Sequence, residues 1–217
     1  MKLFTVDGDA LGAGPRDELV DVLEHDGIIC FPAENNYRLG ASAFSAEAVG
    51  ALIAAKRRSS HAPSLVFVKG PEMLERVAAQ LSPLGRTLAR ELWPGPVTLL
   101  VEPSDAFPPK VHKAIAKATG LIGVRVPAHP VARAVVEAFG KPILVTSANI
   151  SRKKGATSPA QVRKNFGRQV EAMVDLGDLP PGTPSTLVDL SGGAVSIRRQ
   201  GAVSEETIRG IIERAAG

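Results

Sequence analysis

The chain has 217 residues, enough to bury a core without staples, and its 44% hydrophobic and 22% charged residues place it outside the disordered range. No apolar run approaches the roughly 18 residues that a helical membrane span needs, and Asp7 and Asp9 interrupt the N-terminus, so neither a span nor a signal peptide is expected. The net charge is a mild +4, and a lone cysteine, Cys30, excludes an intrachain disulfide and a zinc finger or ribbon, which fits a reducing, cytoplasmic setting.

Helical and strand patterns alternate along the chain. From Arg16 to His25, Leu19, Val20, Val22 and Leu23 recur at helical spacing behind Pro15, and Gly27 ends the segment. Ile28 to Phe31 reads as a short buried strand broken by Pro32, with a polar turn after it. A helix is predicted from Ala46 to Lys56 with Ser45 as its cap, then a strand from Ser64 to Val68. Helices follow at Glu72 to Ala79 and Pro83 to Leu92, then strands at Val97 to Val101 and Leu121 to Val126. Pro130 to Phe139 is a helix closed by Gly140, and Ile143 to Thr146 a strand running into a turn. A helix from Pro159 to Phe166 takes Ser158 as its cap. Strands at Val170 to Leu176, Thr186 to Leu190 and Val195 to Arg199 precede a last helix from Glu205 to Ala215.

This alternation predicts an α/β (mixed α+β) fold, a twisted open sheet with helices on its faces, in one domain over residues 1–217. The short link Ser191-Gly192-Gly193 requires antiparallel pairing of its flanking strands, so the sheet is expected to be mixed. The stretch from Gly177 to Pro184 reads as a surface loop inside the domain. Three basic clusters, Lys56-Arg57-Arg58, Arg152-Lys153-Lys154 and Arg198-Arg199, each adjoin a turn-rich segment, a distribution suited to an anionic ligand or to a solvated surface. Phosphate-loop, dinucleotide-fingerprint and nucleophile-elbow motifs are absent, the four histidines lack metal-ligand spacing, and Cys30 sits in an apolar strand pattern.

What remains is a series of blocks: PAENNYRL (Pro32 to Leu39), Lys56-Arg57-Arg58, WPGPVTLL (Trp93 to Leu100), GVRVPAHPVA (Gly123 to Ala132), TSANIS (Thr146 to Ser151), PSTLVDL (Pro184 to Leu190) and IRRQGAV (Ile197 to Val203). Their order and spacing resemble the YrdC-like family, the threonylcarbamoyl-AMP synthases, from about Arg16 to the end of the chain. The resemblance is to the single-domain form. It implies a sheet around a deep basic cavity, and a reaction in which L-threonine, bicarbonate and ATP, with Mg2+, yield threonylcarbamoyl-adenylate and pyrophosphate. The product serves modification of adenosine 37 in certain tRNAs, with tRNA met directly or through a separate transfer complex; no membrane is involved.

Carried over by motif, the resemblance puts Lys56, Arg58, Ser147 and Asn149 at the reacting centre. Arg58, Ser147, Asn149, Thr157 and Arg199 take positions that hold ATP, and Asn35, Phe67, Arg125 and Ser185 positions that meet threonine. The chemistry of these residue types agrees. All three substrates carry anionic groups, and crowding them demands fixed cations, Arg as a planar fork and Lys as a compact charge. Ser147 and Asn149, two apart beyond a strand end, offer neutral donors and acceptors on one side.

Departures concentrate in the first block, where Ala33 and Asn35 replace the family's threonines and Arg38 its glycine. Ser59, Ala62, Phe67 and Gln200 replace a proline, an asparagine, a histidine and a proline. The nucleotide half is therefore better kept than the amino-acid half, and sites that discriminate by hydrogen bonds change specificity when those partners change. Two other readings stay open: a paralogue with the ATP site acting on a different amino or carbamoyl substrate, and a non-catalytic nucleotide- or RNA-binding protein.

Overall fold

Strict side-chain alternation lets one sheet bury both of its faces. In β2 (Ile29–Ala33), Ile29, Phe31 and Ala33 enter one core while Cys30, between them, enters the other. The computed structural model describes residues 1–6, 8, 10–56, 63–116, 119–149, 156–192 and 194–216. Among them lie ten strands in one sheet, in the order β1-β8-β2-β3-β7-β4-β6-β5-β9-β10. The strands are β1 (Lys2–Thr5), β2, β3 (Asn36–Ser42), β4 (Ser64–Phe67), β5 (Val97–Val101), β6 (Ile122–Arg125), β7 (Ile143–Ser147), β8 (Ala172–Asp175), β9 (Thr186–Asp189) and β10 (Ser196–Arg199).

Helices cover both faces. On one, α1 (Ala13–Glu24) and α6 (Pro130–Phe139) place Leu19, Leu23, Val131 and Val135 against Ile29, Phe31, Ile143 and Val174. On the other, α2 (Ala46–Lys56), α3 (Pro71–Val77), α4 (Pro83–Leu92), α5 (Pro109–Ala116), α7 (Pro159–Phe166) and α8 (Glu205–Ala216) pack over Cys30, Leu39, Val66, Leu99, Val124 and Val188. The sheet is mixed as expected, and β9 and β10 pair antiparallel. Burial without a partner drives the Cys30 thiol far above its ordinary range, so the residue is inert core.

Three elements were not legible in the sequence: β1, an exposed edge strand; α5, whose buried stripe is only Val111 and Ile115; and β3. Nor does Pro32 break β2, which runs on to Ala33. Pro32 pairs with Tyr37, whose own amide bonds Ala156 O and whose carbonyl accepts from Ala148 N, both away from β2. The pair is thus a non-hydrogen-bonded one, and the missing N–H of Pro32 points outward where β8, paired only at Ile29 and Cys30, has stopped. The expected polar turn shrinks to Glu34-Asn35, and the chain reverses at once into β3.

Caps follow the sequence with one difference. Ser45 Oγ accepts from Ala48 N at 3.1 Å, whereas Ser158 stands at the N-cap of α7 without a side-chain capping bond. His129 supplies an unforeseen cap, its Nδ1 accepting from Val131 N at 3.2 Å.

The C-terminal hairpin is pinned by Asp189. Its carboxylate accepts from Ser191 N at 2.9 Å, Ser191 Oγ at 2.6 Å and Arg198, 2.8 Å away. Burial pushes this carboxyl up, but the serine and arginine donors outweigh it and hold it below its ordinary value. A lowered folded value means the contribution is present above the unfolded value and is lost as pH falls through the folded one. Thermal melts should therefore show Asp189→Asn less stable than wild type at pH 7, by about 1–3 kcal/mol, with the gap closing below about pH 4. A constant gap down to pH 2 would contradict this account.

Candidate active site

Beside the β2–β3 turn, strand ends and loops enclose a hollow of about 860 Å3, within the size range of small-molecule sites. One wall comes from Glu34 and Asn35 at the β2–β3 turn, with Asn36 and Arg38 of β3. Ser64 and Leu65 of β4, Thr98 of β5, Arg125 of β6 and Ser147 at the end of β7 continue it. Lys56 arrives from the last turn of α2, Thr157 precedes α7, and Arg199 comes from β10. The loop before β9 closes one side through Pro181, Gly182 and Ser185. The stretch from Gly177 to Pro184 is thus a surface loop, as expected, and also a wall of the hollow.

That loop is held from beneath. Tyr37 Oη donates to Gly177 O at 2.8 Å and accepts from Leu176 N at 3.0 Å, while Leu179 N donates to Thr157 O at 2.8 Å. Gly182 lies so close to Asn35 that a Cβ there would meet Asn35 Nδ2 at 2.0 Å. Glu34 takes φ +51°, the left-handed value needed at the first position of a two-residue turn, which costs a non-glycine residue about 1–3 kcal/mol. Its carboxylate offsets this: Oε1 accepts from Ala128 N at 3.2 Å and Oε2 lies 3.2 Å from Arg125 Nη2.

Lys56 is buried and its ammonium faces the 147–149 turn. It donates to Ser147 O at 2.6 Å, to Asn149 O at 2.5 Å and to Asn149 Oδ1 at 3.1 Å. Ser147 Oγ donates to the same Asn149 Oδ1 at 2.5 Å. The Ser-x-Asn block is therefore a turn shaped by a lysine some 91 residues away in the chain.

Arg125 lies at the floor, its side chain only 3% exposed, over the ring of Phe67 at 5.1 Å. Burial lowers its pKa; Glu34 opposes the shift and Arg199 adds to it. Arg38 stands near it. Burial first, then the Arg125 charge, bring Arg38 down to about 10 against the pull of Glu34, so it stays charged at neutral pH. The described lining thus holds four cations, Arg38, Lys56, Arg125 and Arg199, and one carboxylate, Glu34. In the described lining, Arg38 Nε, Arg125 Nε and Nη2 and Asn36 Oδ1 are buried without a hydrogen-bond partner; elsewhere among the described residues only Arg133 Nε on α6 shares that condition. The 3.2 Å Arg125–Glu34 contact is therefore Coulombic, without hydrogen-bond alignment. Such orphaned groups cost about 1–3 kcal/mol each, and a bound ligand recovers that cost.

Seven of the residues named from the sequence line this one hollow: Asn35, Lys56, Arg125, Thr157, Ser147, Ser185 and Arg199. Asn149 sits just behind the lining, and Phe67, fully buried, supports Arg125 from beneath. Arg58 lies outside the described residues, as does the 152–154 cluster. Arg198 turns away to Asp189. Glu34, Asn36, Arg38 and Thr98 were not foreseen as lining residues; the last is buried with Oγ1 3.1 Å from Ser185 Oγ. Glu34 and Arg38 fall in the first motif block, and strand alternation adds a further signal: Asn36 and Arg38 share a face, and Thr98 lies beside Gly123, where a Cβ would meet its methyl at 2.7 Å.

The model of the Sua5/YciO/YrdC family, described as "Telomere recombination", matches residues 21–201. The chain belongs to this family. A threonylcarbamoyl-AMP synthase of Pyrococcus abyssi (strain GE5 / Orsay) is 33% identical over 185 residues, 85% of this chain and 53% of that protein. One of Thiobacillus denitrificans (strain ATCC 25259 / T1) is 35% identical over 188 residues, 84% of this chain and 94% of the relative. The crystal structure of Pyrococcus abyssi Sua5 complexed with L-threonine superposes with a TM-score of 0.85 at 30% identity, over 98% of this chain and 61% of that one. The chain thus spans about half the length of the Pyrococcus abyssi relative. Among the described residues, no helix is long and apolar enough to cross a membrane.

Proposed function

We propose that this family member is a threonylcarbamoyl-AMP synthase, joining L-threonine, bicarbonate and ATP into threonylcarbamoyl-adenylate with release of pyrophosphate. The observation that carries the reading is the single hollow whose described lining holds four cations and one carboxylate, in a chain about one-third identical to threonylcarbamoyl-AMP synthases. Such a lining suits ligands that are themselves anions and repel one another in water.

In this reading the threonine amine attacks bicarbonate, water leaves, and an oxygen of the resulting carbamate attacks the α-phosphate as pyrophosphate departs. The lining residues bind and orient. Arg199, held by its bond to Ser185 O at 2.7 Å, and Lys56 supply positive charge towards the phosphates. Ser147, Asn149 and Thr157 present neutral groups at the same end, with Arg58 assigned there by its motif. Arg125 and Ser185 face the amino acid, with Asn35 at the turn above and Phe67 backing Arg125. No protein nucleophile is needed, because alignment of reactants supplies up to about 7–11 kcal/mol of a barrier. Magnesium enters as the nucleotide's own ion: the one carboxylate in the described lining, Glu34, is engaged by Ala128 and Arg125, so phosphate oxygens carry the metal. The product is passed on to adenosine 37 of tRNA by a separate transfer complex, in a reducing cytoplasm that suits the buried thiol of Cys30.

Pyrophosphate release tests this. Purified protein with Mg2+-ATP and bicarbonate is expected to release pyrophosphate only when L-threonine is added. Stimulation by a different amino acid would identify a paralogue with another substrate, and ATP binding without turnover for any amino acid would sink the catalytic reading.

A further inference from the structure

Arg38, the bulkiest departure in the first motif, lies inside the hollow rather than in solvent. It follows Asn36 by two residues on β3, so both present to the same side, and Arg38 is in register with Ser147 on β7. This end of the hollow holds both donors and acceptors. Arg38 Nε and two nitrogens of Arg125 are buried donors without partners among the described residues, and Asn36 Oδ1 is a buried acceptor in the same condition. The Glu34 carboxylate lies beside them, 3.2 Å from Arg125.

A triphosphate does not complement this arrangement. It offers acceptors only, so it would leave Asn36 Oδ1 unmet and press its charge against Glu34. An α-amino acid does complement it: the carboxylate meets the two guanidiniums, and the adjacent amino group donates a hydrogen bond to Asn36 Oδ1 while its positive or partial positive charge faces the Glu34 carboxylate. Two planar forks on one carboxylate restrict its orientation further than one fork does. We propose that Arg38 is a specificity-determining residue, joining Arg125 in holding the α-carboxylate of the amino-acid substrate while Asn36 Oδ1 accepts from its amino group. This rests on the reading of the hollow as an amino-acid-activating site and adds to it a subsite built from β3.

The test compares L-threonine with L-threoninol, which keeps the amine and side chain but lacks the carboxylate. Titration calorimetry in the presence of a saturating, non-hydrolysable ATP analogue measures both ligands on wild type, Arg38→Met and Arg38→Lys. Arg38→Met is expected to weaken L-threonine about 10- to 100-fold and L-threoninol less than about 2-fold, leaving the nucleotide affinity in place. Arg38→Lys, which keeps the charge without the fork, should lose less, and it carries the test if the methionine variant does not fold. Equal losses for both ligands, or a loss confined to the nucleotide, would overturn the assignment. If wild type binds no L-threonine, the same comparison is run with other L-α-amino acids and their amino alcohols. A carboxylate preference that depends on Arg38 then upholds the subsite while the threonine reading falls, and no binding of any α-amino acid overturns both.

Discussion

Lys56→Met is expected to abolish most pyrophosphate release and to destabilise the protein at the same time. The methionine keeps the apolar stem that runs past Phe166, whose ring the ammonium approaches at 5.8 Å, but removes the ammonium. Ser147 O, Asn149 O and Asn149 Oδ1 then lose their shared donor in a buried setting. Orphaning groups of this kind costs about 2–4 kcal/mol here, since Asn149 Oδ1 keeps its bond from Ser147 Oγ and Ser147 O keeps that from Asn149 N. The activity loss is larger than that figure implies, because the turn that carries Ser147 into the hollow loses its shape. Misplacement of a binding wall by about 1 Å can cost on the order of 100-fold in rate, and a drop of at least that size is expected. A melting curve and a pyrophosphate assay on the same preparation decide the matter; wild-type values in both would show that Lys56 is a bystander.

Gly201→Ala is expected to be the most damaging single methyl in the C-terminal half. A Cβ at this position would lie 2.2 Å from Pro184 O and 2.5 Å from Ser185 C, both backbone atoms that cannot swing aside. The close approach is needed because Gly201 N donates to Thr186 Oγ1 at 2.9 Å and Ala202 N to Pro184 O at 2.9 Å. Thr186 Oγ1 in turn donates to Val203 O at 2.6 Å, so one hydroxyl knits the segment after β10 to the start of β9. Overpacking of this sort costs about 1–3 kcal/mol and more where backbone is struck. Since backbone is struck here, the upper value of about 3 kcal/mol applies, and at about 2–4 °C per kcal/mol a melting temperature lower by roughly 6–12 °C is expected. The displaced segments carry Ser185 and Arg199, so nucleotide affinity should fall with stability. Gly50→Ala is the control: it sits exposed in α2, its Cβ would meet nothing within 4 Å, and the gain in helix propensity should raise stability by up to about 1 kcal/mol. Equal melting temperatures for the two variants would refute the packing argument.

Much of the fold was legible in the sequence because most elements carry a strong local signature. Pro130 to Phe139 has a proline at its first turn, an apolar stripe and Gly140 in the left-handed conformation at its end, and the helix has those bounds. The strand at Val97 to Val101 is buried throughout and apolar except for Thr98. β3 was hidden because its signature is not local. Asn36 and Arg38 are polar, and their strand conformation is enforced by pairing with β2 on one side and β7 on the other. α5 was hidden for a related reason, since two buried residues in eight leave little periodicity to read.

The candidate site divides in the same way. Residue types and the order of the motif blocks, set by covalent sequence alone, were enough to name cations suited to anionic ligands and to associate them with a family. Whether those cations meet depends on pairings between residues far apart in the chain. Arg198 and Arg199 are neighbours in a basic cluster, yet one binds Asp189 and the other lines the hollow, because strand alternation and a register shift between Ile197 and Arg199 send them apart. Lys56 reads as a helix-end cation until the 147–149 turn is folded against it. Arg38 reads as a misfit in its motif until β6 brings Arg125 and the β2–β3 turn brings Glu34 beside it. Composition and motif order determined which charges and which elements this chain has. Sheet order and register decided which of them share one hollow, because charges act on one another over a few ångströms in space while the sequence records only their separation along the chain.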